Sequence, residues 1–183
     1  MKKLTIQQMG RMTAEQFHQA EKNPLVVVLD NVRSQHNVGA VFRTADAFRI
    51  SKIYLCGCCS TPPNPEIHKT ALGAEDTVDW QYTADTVDAV HNLKDLGYRV
   101  FAVEQTEGSI MLDNLSVETL HLTHNRLAIV LGHEVFGVQQ EVVDLCDGAI
   151  EIPQYGTKHS LNVSVAAGIV MYQLTEALRK TNL

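Results

Sequence analysis

The stretch SLNVSVAAGIVMYQLTEALRK, residues 160–180, has apolar residues that recur at the spacing of one long helix, and the rest of the chain is expected to pack around it. They form two neighbouring rows, Leu161, Val165, Ile169 and Tyr172 in one and Val163, Ala167, Val170 and Leu174 in the other. Two adjacent rows predict a helix that is covered on most of its circumference. The polar residues gather at the front instead. They suit a helix cap, and they also suit a binding site at the start of a buried helix.

Buried strands alternate with helices along the rest of the chain. The run LVVVL, residues 25–29, is continuously apolar and predicts a strand that is buried on both faces. Further strands are predicted at 52–57, 98–105, 126–132 and 149–152. Helices are predicted at 13–21, 38–48, 83–96, 139–145 and 160–180, with a short turn or helix at 68–75. This alternation predicts an α/β fold with a mostly parallel sheet flanked by helices.

The length and composition predict one domain. The chain has 183 residues, of which 45% are hydrophobic, and this is enough for a single core. We expect a domain of residues 25–183, preceded by an N-terminal extension of residues 1–24. Thr13 and Gln16 have the spacing of a capping box, so the extension is expected to contain a short helix.

The charge is divided unevenly along the chain, whose formal net charge is −6. Residues 1–74 contain nine Lys and Arg against five Asp and Glu, a net +4, and residues 152–183 contain three against one, a net +2. Residues 75–151 contain three against fifteen, a net −12. The acidic middle is either an ordinary solvated face or the complement of a basic, nucleic-acid-binding surface on the two ends.

Several classes of protein are disfavoured. No apolar run is long enough to span a bilayer, and the opening MKKLTIQQMG lacks the apolar stretch of a signal peptide, so a cytoplasmic protein without a membrane partner is expected. The Gly-rich dinucleotide and P-loop motifs are absent.

Cys56, Cys58 and Cys59 with His68 are an alternative set of zinc ligands. Clustered cysteines at a strand end are more typical of small buried side chains, and no metal is expected.

Three strands end in polar turns that contain glycine, at residues 30–43, 131–137 and 152–162. Ligands of open α/β sheets bind at the carboxyl ends of strands, so three converging turns predict a site there. The alternative is that these glycines merely serve tight turns: Gly39, Gly132, Gly137 and Gly156.

Three motifs in these turns resemble those of the SpoU (TrmH-like) RNA ribose 2′-O-methyltransferases of the SPOUT superfamily. They are NVGAVFRTA at 37–45, GHEVFG at 132–137, and IP at 152–153 followed by SLNVSVA at 160–166. The resemblance covers residues 25–178. It implies a SPOUT-type domain whose C-terminal part is tied in a trefoil knot that holds S-adenosylmethionine. It also implies an RNA substrate, with tRNA slightly favoured over rRNA, and a homodimer.

The resemblance implies catalytic roles for five residues: Asn37, Arg43, Glu134, Ser160 and Asn162. Arg43 would act on the ribose 2′-hydroxyl, either by accepting its proton or by stabilising the developing alkoxide while staying charged. Asn37 would position Arg43, and Glu134 would orient Arg43 or the substrate. Ser160 and Asn162 would bind the substrate or Arg43.

The resemblance also implies that Gly132, Ile152 and Leu161 hold the cofactor, largely through backbone groups. Glu104 and Gln105, at the end of the third predicted strand, are added as cofactor contacts although they match no strict motif. Two other functions stay open. One is a non-catalytic RNA-binding relative, and the other is a small-molecule α/β enzyme, which the net acidity favours.

Overall fold

The computed structural model describes residues 1–5, 7–116, 118–122 and 126–181, so the last two residues of the predicted domain lie outside the described residues. The described strands form one sheet in the order β3-β2-β1-β6-β4-β7-β5, and each neighbouring pair is parallel. The strands are β1 Asn23–Asp30, β2 Ile50–Cys56, β3 Trp80–Thr83, β4 Arg99–Val103, β5 Ile110–Met111, β6 Leu127–Leu131 and β7 Gly148–Glu151. The α-helices are α1 Ala14–Gln19, α2 Gln35–Ala47, α3 Pro65–Ala71, α4 Thr86–Asp95, α5 Gln140–Leu145 and α6 Val163–Thr181. The predicted α/β fold is confirmed.

The centre of the molecule is β1, which is buried on both faces. Leu25, Val27 and Leu29 point into a core formed with α2 and α6. Val26 and Val28 point the other way, into a core formed with α4 and α5. Successive side chains of a strand alternate between the faces of the sheet, so one apolar run serves both layers.

The N-terminal extension packs onto the domain through the apolar side chain of Phe17 and the hydrogen bonds of Asn23 to Phe48 and Arg49. Thr13 and Gln16 form the predicted capping box at the start of α1. Phe17 on this helix is buried in the core beside α2 and α6. The boundary between residues 24 and 25 stays a prediction.

Two short strands at the edges of the sheet, β3 and β5, were not predicted. β3 has the sequence WQYT, and its four residues are all at least partly exposed, so it lacks the apolar run that marks a central strand. β5 has only two residues. An edge strand pairs on one side only, and its local sequence therefore carries a weak signal.

The prediction for α6 was wrong in two respects. The helix begins at Val163 rather than at Ser160. Asn162 precedes it, and the Asn162 Oδ1 atom accepts the backbone N–H of Ser164 at 2.9 Å. Only one of the two apolar rows is buried. The other row is exposed in the single chain, at 39% for Leu161, 50% for Val165, 39% for Ile169 and 55% for Tyr172.

The helix α2 begins earlier than predicted, at Gln35, so Asn37 lies in its first turn and not in a loop. Ser34 caps this turn, because its Oγ accepts the Asn37 N–H at 3.3 Å. Gly39 is inside the helix, where an added Cβ would lie 2.2 Å from both Ile67 O and Thr70 Oγ1. The tight-turn explanation of Gly39 is therefore wrong, since this glycine allows α2 to approach α3. Within the described ranges, no helix is long and apolar enough to cross a membrane.

Candidate active site

A cavity of about 690 Å³ opens where β4, β6 and β7 end. Its walls come from the segments that follow these strands and from the start of α6. Eight residues predicted for the site line it together: Glu104, Gln105, Gly132, Glu134, Ile152, Ser160, Leu161 and Asn162. The carboxyl ends of parallel strands lie at one edge of the sheet, which explains why segments so distant in sequence meet there.

The loop after β6 is folded tightly against itself. His133 and Gly137 exchange backbone hydrogen bonds of 3.0 and 2.9 Å. A Cβ on Gly132 would lie 2.0 Å from the carbonyl carbon of Gly137, so no side chain fits there. Gly137 itself has a φ of +68°, a conformation that glycine adopts readily. The two motif glycines thus fix the shape of one cavity wall.

The side chains of Glu104 and Gln105 connect the other cavity walls by hydrogen bonds. The Glu104 Oε2 atom accepts the backbone N–H of Val138 at 3.1 Å, and Oε1 accepts the N–H of Gln105 at 2.9 Å. The Gln105 Nε2 group donates to the carbonyl oxygen of His159 at 2.8 Å. These side chains therefore brace the loops after β4, β6 and β7, in addition to lining the cavity.

Glu134 joins the three motifs in one hydrogen-bond network. Its carboxylate accepts the backbone N–H groups of Arg33 at 3.1 Å and Ser34 at 2.9 Å. The Asn37 Nδ2 group donates to the same carboxylate at 3.0 Å. On its other side, Asn37 Oδ1 accepts from Asn162 Nδ2 at 3.1 Å. A chain of side-chain contacts thus runs from Glu134 through Asn37 to Asn162.

The electrostatics of this network keep Glu134 ionised. Burial raises the pKa of the Glu134 carboxyl, but the hydrogen bonds from Ser34, Asn37, its own backbone N–H and Arg33 outweigh burial and lower the pKa below its usual 4.5. An ionised carboxylate with several donors accepts hydrogen bonds and orients its neighbours. Glu134 is therefore suited to hold the site together.

Arg43 lies outside this network. Its side chain is exposed on α2 and does not line the cavity. Among the described residues, Arg43 has no hydrogen bond or ion pair, so within one chain it makes no such contact with Asn37, Glu134, Ser160 or Asn162, and its catalytic role stays a prediction. Asn37 and Arg43 are six positions apart on α2, which separates their directions by about 120° around the helix.

A model of the SpoU rRNA Methylase family matches residues 24–172. The chain belongs to this family. It is 31% identical to a tRNA (guanosine(18)-2′-O)-methyltransferase of Thermus thermophilus, over 94% of this chain and 85% of the relative. The solved TrmH/SpoU tRNA modifying enzyme of A. aeolicus has a TM-score of 0.77 and 27% identity, over 92% of this chain and 82% of that one. The AdoMet bound rRNA methyltransferase of Sinorhizobium meliloti has a TM-score of 0.76 and 25% identity, over 91% of this chain and 60% of that one.

The alternative zinc site on this SpoU-family chain is not assembled. In the part of the chain that the structure describes, no group of three or more His, Cys, Asp or Glu could hold a metal ion. Burial raises the pKa of the Cys56 and Cys59 thiols to about 12. The Cys59 Sγ accepts the backbone N–H of Val32 at 3.1 Å and donates to the carbonyl oxygen of Leu29 at 3.3 Å. Cys56 and Cys59 are therefore protonated core thiols.

One supporting residue of this SpoU site escaped the sequence analysis. Asp30 ends β1, is fully buried, and accepts hydrogen bonds from Thr86 Oγ1 at 2.7 Å and from the backbone N–H of Gln139 at 2.9 Å. It fixes the starts of α4 and α5 against the central strand. A carboxylate directly after a buried apolar run, in the sequence VVVLD, was the available signal.

Proposed function

We propose that this SpoU-family protein transfers a methyl group from S-adenosylmethionine to a ribose 2′-hydroxyl of RNA. The observation that carries the proposal is the assembly of the three motifs, where eight predicted residues line one cavity and Asn37 borders it through hydrogen bonds. We favour tRNA over rRNA as the substrate, because the Thermus thermophilus relative that matches 94% of this chain at 31% identity is a tRNA enzyme.

The cavity fits the cofactor in size and lining. Its volume of about 690 Å³ lies inside the range of about 300–1,000 Å³ that is usual for ligand pockets. The apolar part of the cavity wall consists of Leu131, Ile152, Leu161 and Ala166. Gly132 has no side chain, so its backbone groups are exposed to the cavity. We assign the cofactor contacts to Gly132, Ile152 and Leu161. When bound, S-adenosylmethionine supplies an activated methyl group on a sulfonium, so the protein chiefly has to orient the acceptor.

The polar residues of the chain then orient and activate the hydroxyl. Glu134 holds Asn37, Asn37 holds Asn162, and Asn162 caps α6 next to Ser160. The Ser160 hydroxyl has no hydrogen bond within the described ranges and is available to the ribose. We assign Arg43 the role of a charged group that stabilises the oxygen as its proton leaves, because a guanidinium is a poor base.

We propose a homodimer formed on the exposed row of α6. Leu161 belongs both to this row and to the cavity wall, so a second copy on the row would lie beside the cavity mouth. Arg43 is on α2, which packs against α6, with Thr44 Cγ2 at 3.8 Å from where a Gly168 Cβ would be. In this arrangement, the cavity of each chain receives Arg43 from the partner subunit, because Arg43 of the same chain does not line it.

The trefoil knot is also part of the proposal, and strand order supports it. β7 pairs with both β4 and β5, so the connecting segment 104–109 arches over the carboxyl end of β7. The chain that leaves β7 has to pass this arch on its way to α6. Two hydrogen bonds join the arch to the end of β7 and to the chain that leaves it, from Ser109 Oγ to Glu151 Oε2 at 2.6 Å and from Gln105 Nε2 to the carbonyl oxygen of His159 at 2.8 Å.

We place the reaction in the reducing cytoplasm, in keeping with four cysteines that are all free thiols. Calorimetry with S-adenosylmethionine and with its demethylated product tests the cofactor assignment. We expect one site per chain and thermal stabilisation of the protein by the ligand. Absence of both binding heat and stabilisation would contradict the proposed function.

A further inference from the structure

The loop 133–137 carries an exposed aromatic pair at the cavity. The Phe136 side chain is 82% exposed, and its ring centroid lies 4.9 Å from that of His133 with an angle of 33° between the planes. Both residues line the cavity, as does the 76% exposed Val135 between Glu134 and Phe136. A large apolar ring so exposed beside a polar site marks a contact surface rather than a core position.

The pair is held in place by the loop itself. The His133 Nδ1 atom accepts the backbone N–H of Val135 at 3.0 Å and that of Phe136 at 3.4 Å. The two backbone hydrogen bonds between His133 and Gly137 close the loop below them. The backbone that carries the two rings is thus fixed before any ligand arrives, which lowers the entropic cost of binding a flat group on this loop.

The chemistry of the cavity decides what that flat group is. If the protein methylates RNA, the nucleotide that receives the methyl group has to enter this cavity with its ribose beside Glu134, Ser160 and Asn162. The base is attached to the ribose carbon next to the one that bears the 2′-hydroxyl. It therefore projects a short distance from the hydroxyl, and Phe136 is only two residues from Glu134.

We propose that Phe136, supported by His133, stacks on the base of the nucleotide that is methylated, and that the substrate is therefore an unpaired nucleotide. This inference rests on the proposed function. A base inside a duplex has both faces covered by its neighbours, so stacking on Phe136 requires a loop, a bulge or a flipped-out nucleotide. An aromatic ring stacks on any base, so Phe136 selects the unpaired state more than the base identity.

Three variants test the role of the ring: Phe136→Ala, Phe136→Leu and Phe136→Tyr. The substrate is bulk tRNA from a strain that lacks the gene, with labelled S-adenosylmethionine. Phe136→Ala is expected to raise the KM for RNA by about 5- to 150-fold, the range that corresponds to stacking on one base. Phe136→Tyr keeps the ring and should retain the wild-type KM, whereas Phe136→Leu keeps only apolar bulk and should not rescue it.

Phe136 could contact either the base or the cofactor. The affinity of each variant for S-adenosylmethionine, measured by calorimetry, distinguishes these two partners. The inference predicts unchanged cofactor affinity in all three variants. Cofactor binding that weakens as much as RNA binding would overturn it, and so would full rescue by leucine or an unchanged KM for Phe136→Ala. If the wild-type protein methylates no RNA, the proposed function itself fails. If the wild-type protein is active and Phe136→Ala has the same KM for RNA, only the stacking role of Phe136 is contradicted, and the proposed function is not.

Once the methylated nucleotide is known, removal of its base gives a sharper test. A short RNA with an abasic ribose at that position should impair the wild-type protein about as much as Phe136→Ala impairs it on the intact RNA. The abasic RNA should cost the alanine variant little more, because the two changes remove the same interaction. Independent, additive losses would show that the ring and the base do not touch. A fully base-paired version of the same RNA should not be methylated.

Discussion

Asn162 donates a hydrogen bond of 3.1 Å to Asn37, although the two residues are 125 positions apart in sequence. The contact joins the start of α6 to the first turn of α2. Since Asn37 also donates to Glu134, each of the three motifs contributes one side chain to the same network. The network orients the cavity rim from the inside, and Arg43 lies exposed on α2, outside this network.

Arg43→Ala should remove most methyl transfer while leaving cofactor affinity unchanged. An interaction made only in the transition state lowers the rate constant and not ground-state binding. The expected loss in single-turnover rate is about a hundred- to a thousand-fold. Arg43→Lys is the matched variant, because lysine keeps the charge but loses the planar fork. A rate for the alanine variant close to that of wild type would show that Arg43 is not the catalytic group.

Mixing two inactive variants tests whether Arg43 acts across the dimer. Ile152→Asp places a carboxylate in the apolar cavity wall and should abolish cofactor binding. If Arg43 serves the partner's cavity, unfolding and refolding Ile152→Asp together with Arg43→Ala creates one complete site per mixed dimer. The mixture should then regain about a quarter of the wild-type activity. No recovery, with mixed dimers demonstrated by differential tagging, would place Arg43 in the site of its own chain.

A charge on the exposed row of α6 should break the dimer. Val165 is 50% exposed in the single chain, so Val165→Glu should not destabilise a monomer but would bury a carboxylate in the proposed interface. Leu96, also 50% exposed but at the end of α4, provides the matched control Leu96→Glu. Light scattering at micromolar concentration should find a dimer for wild type and the control, and a monomer for Val165→Glu. A wild-type monomer would contradict the interface.

The lowered pKa of Glu134 predicts a pH-dependent contribution to stability. A carboxyl whose pKa is depressed by folding stabilises the protein above its unfolded pKa, and this contribution is lost as the pH falls through the folded pKa. Glu134→Gln should therefore be less stable than wild type at neutral pH, and the difference should shrink below pH 4.5. Urea unfolding of both proteins between neutral and acidic pH measures this difference. A stability gap independent of pH would show that the ionised carboxylate is not the stabilising form.

The central strands and the meeting of the motifs were predictable from sequence, because both depend on local patterns. The continuous apolar run in β1 marks burial on both faces. Polar, glycine-containing turns after parallel strands necessarily collect at one edge of the sheet. The order of strands was not predictable, since nothing in the local sequence of β6 or β7 tells between which strands each inserts.

The exposure of α6 and the isolation of Arg43 were beyond sequence periodicity for physical reasons. An apolar row that faces a partner has the same spacing as a row that faces the core, so Val165 and Val170 look alike in sequence. The direction in which Arg43 points relative to Asn37 depends on whether α2 begins before or after Asn37. Ser34 caps α2, so the helix begins before the polar residues that suggested a loop.

Nucleoside mass spectrometry of cellular RNA tests whether this protein methylates a ribose 2′-hydroxyl of RNA. We compare tRNA and rRNA from a strain that lacks the gene, from that strain complemented with the wild-type gene, and from that strain complemented with Arg43→Ala. The account predicts that one 2′-O-methylated nucleoside, at one position of tRNA, is lost on deletion and restored by the wild-type gene but not by the variant. An unchanged set of 2′-O-methylated nucleosides in all three strains would contradict it.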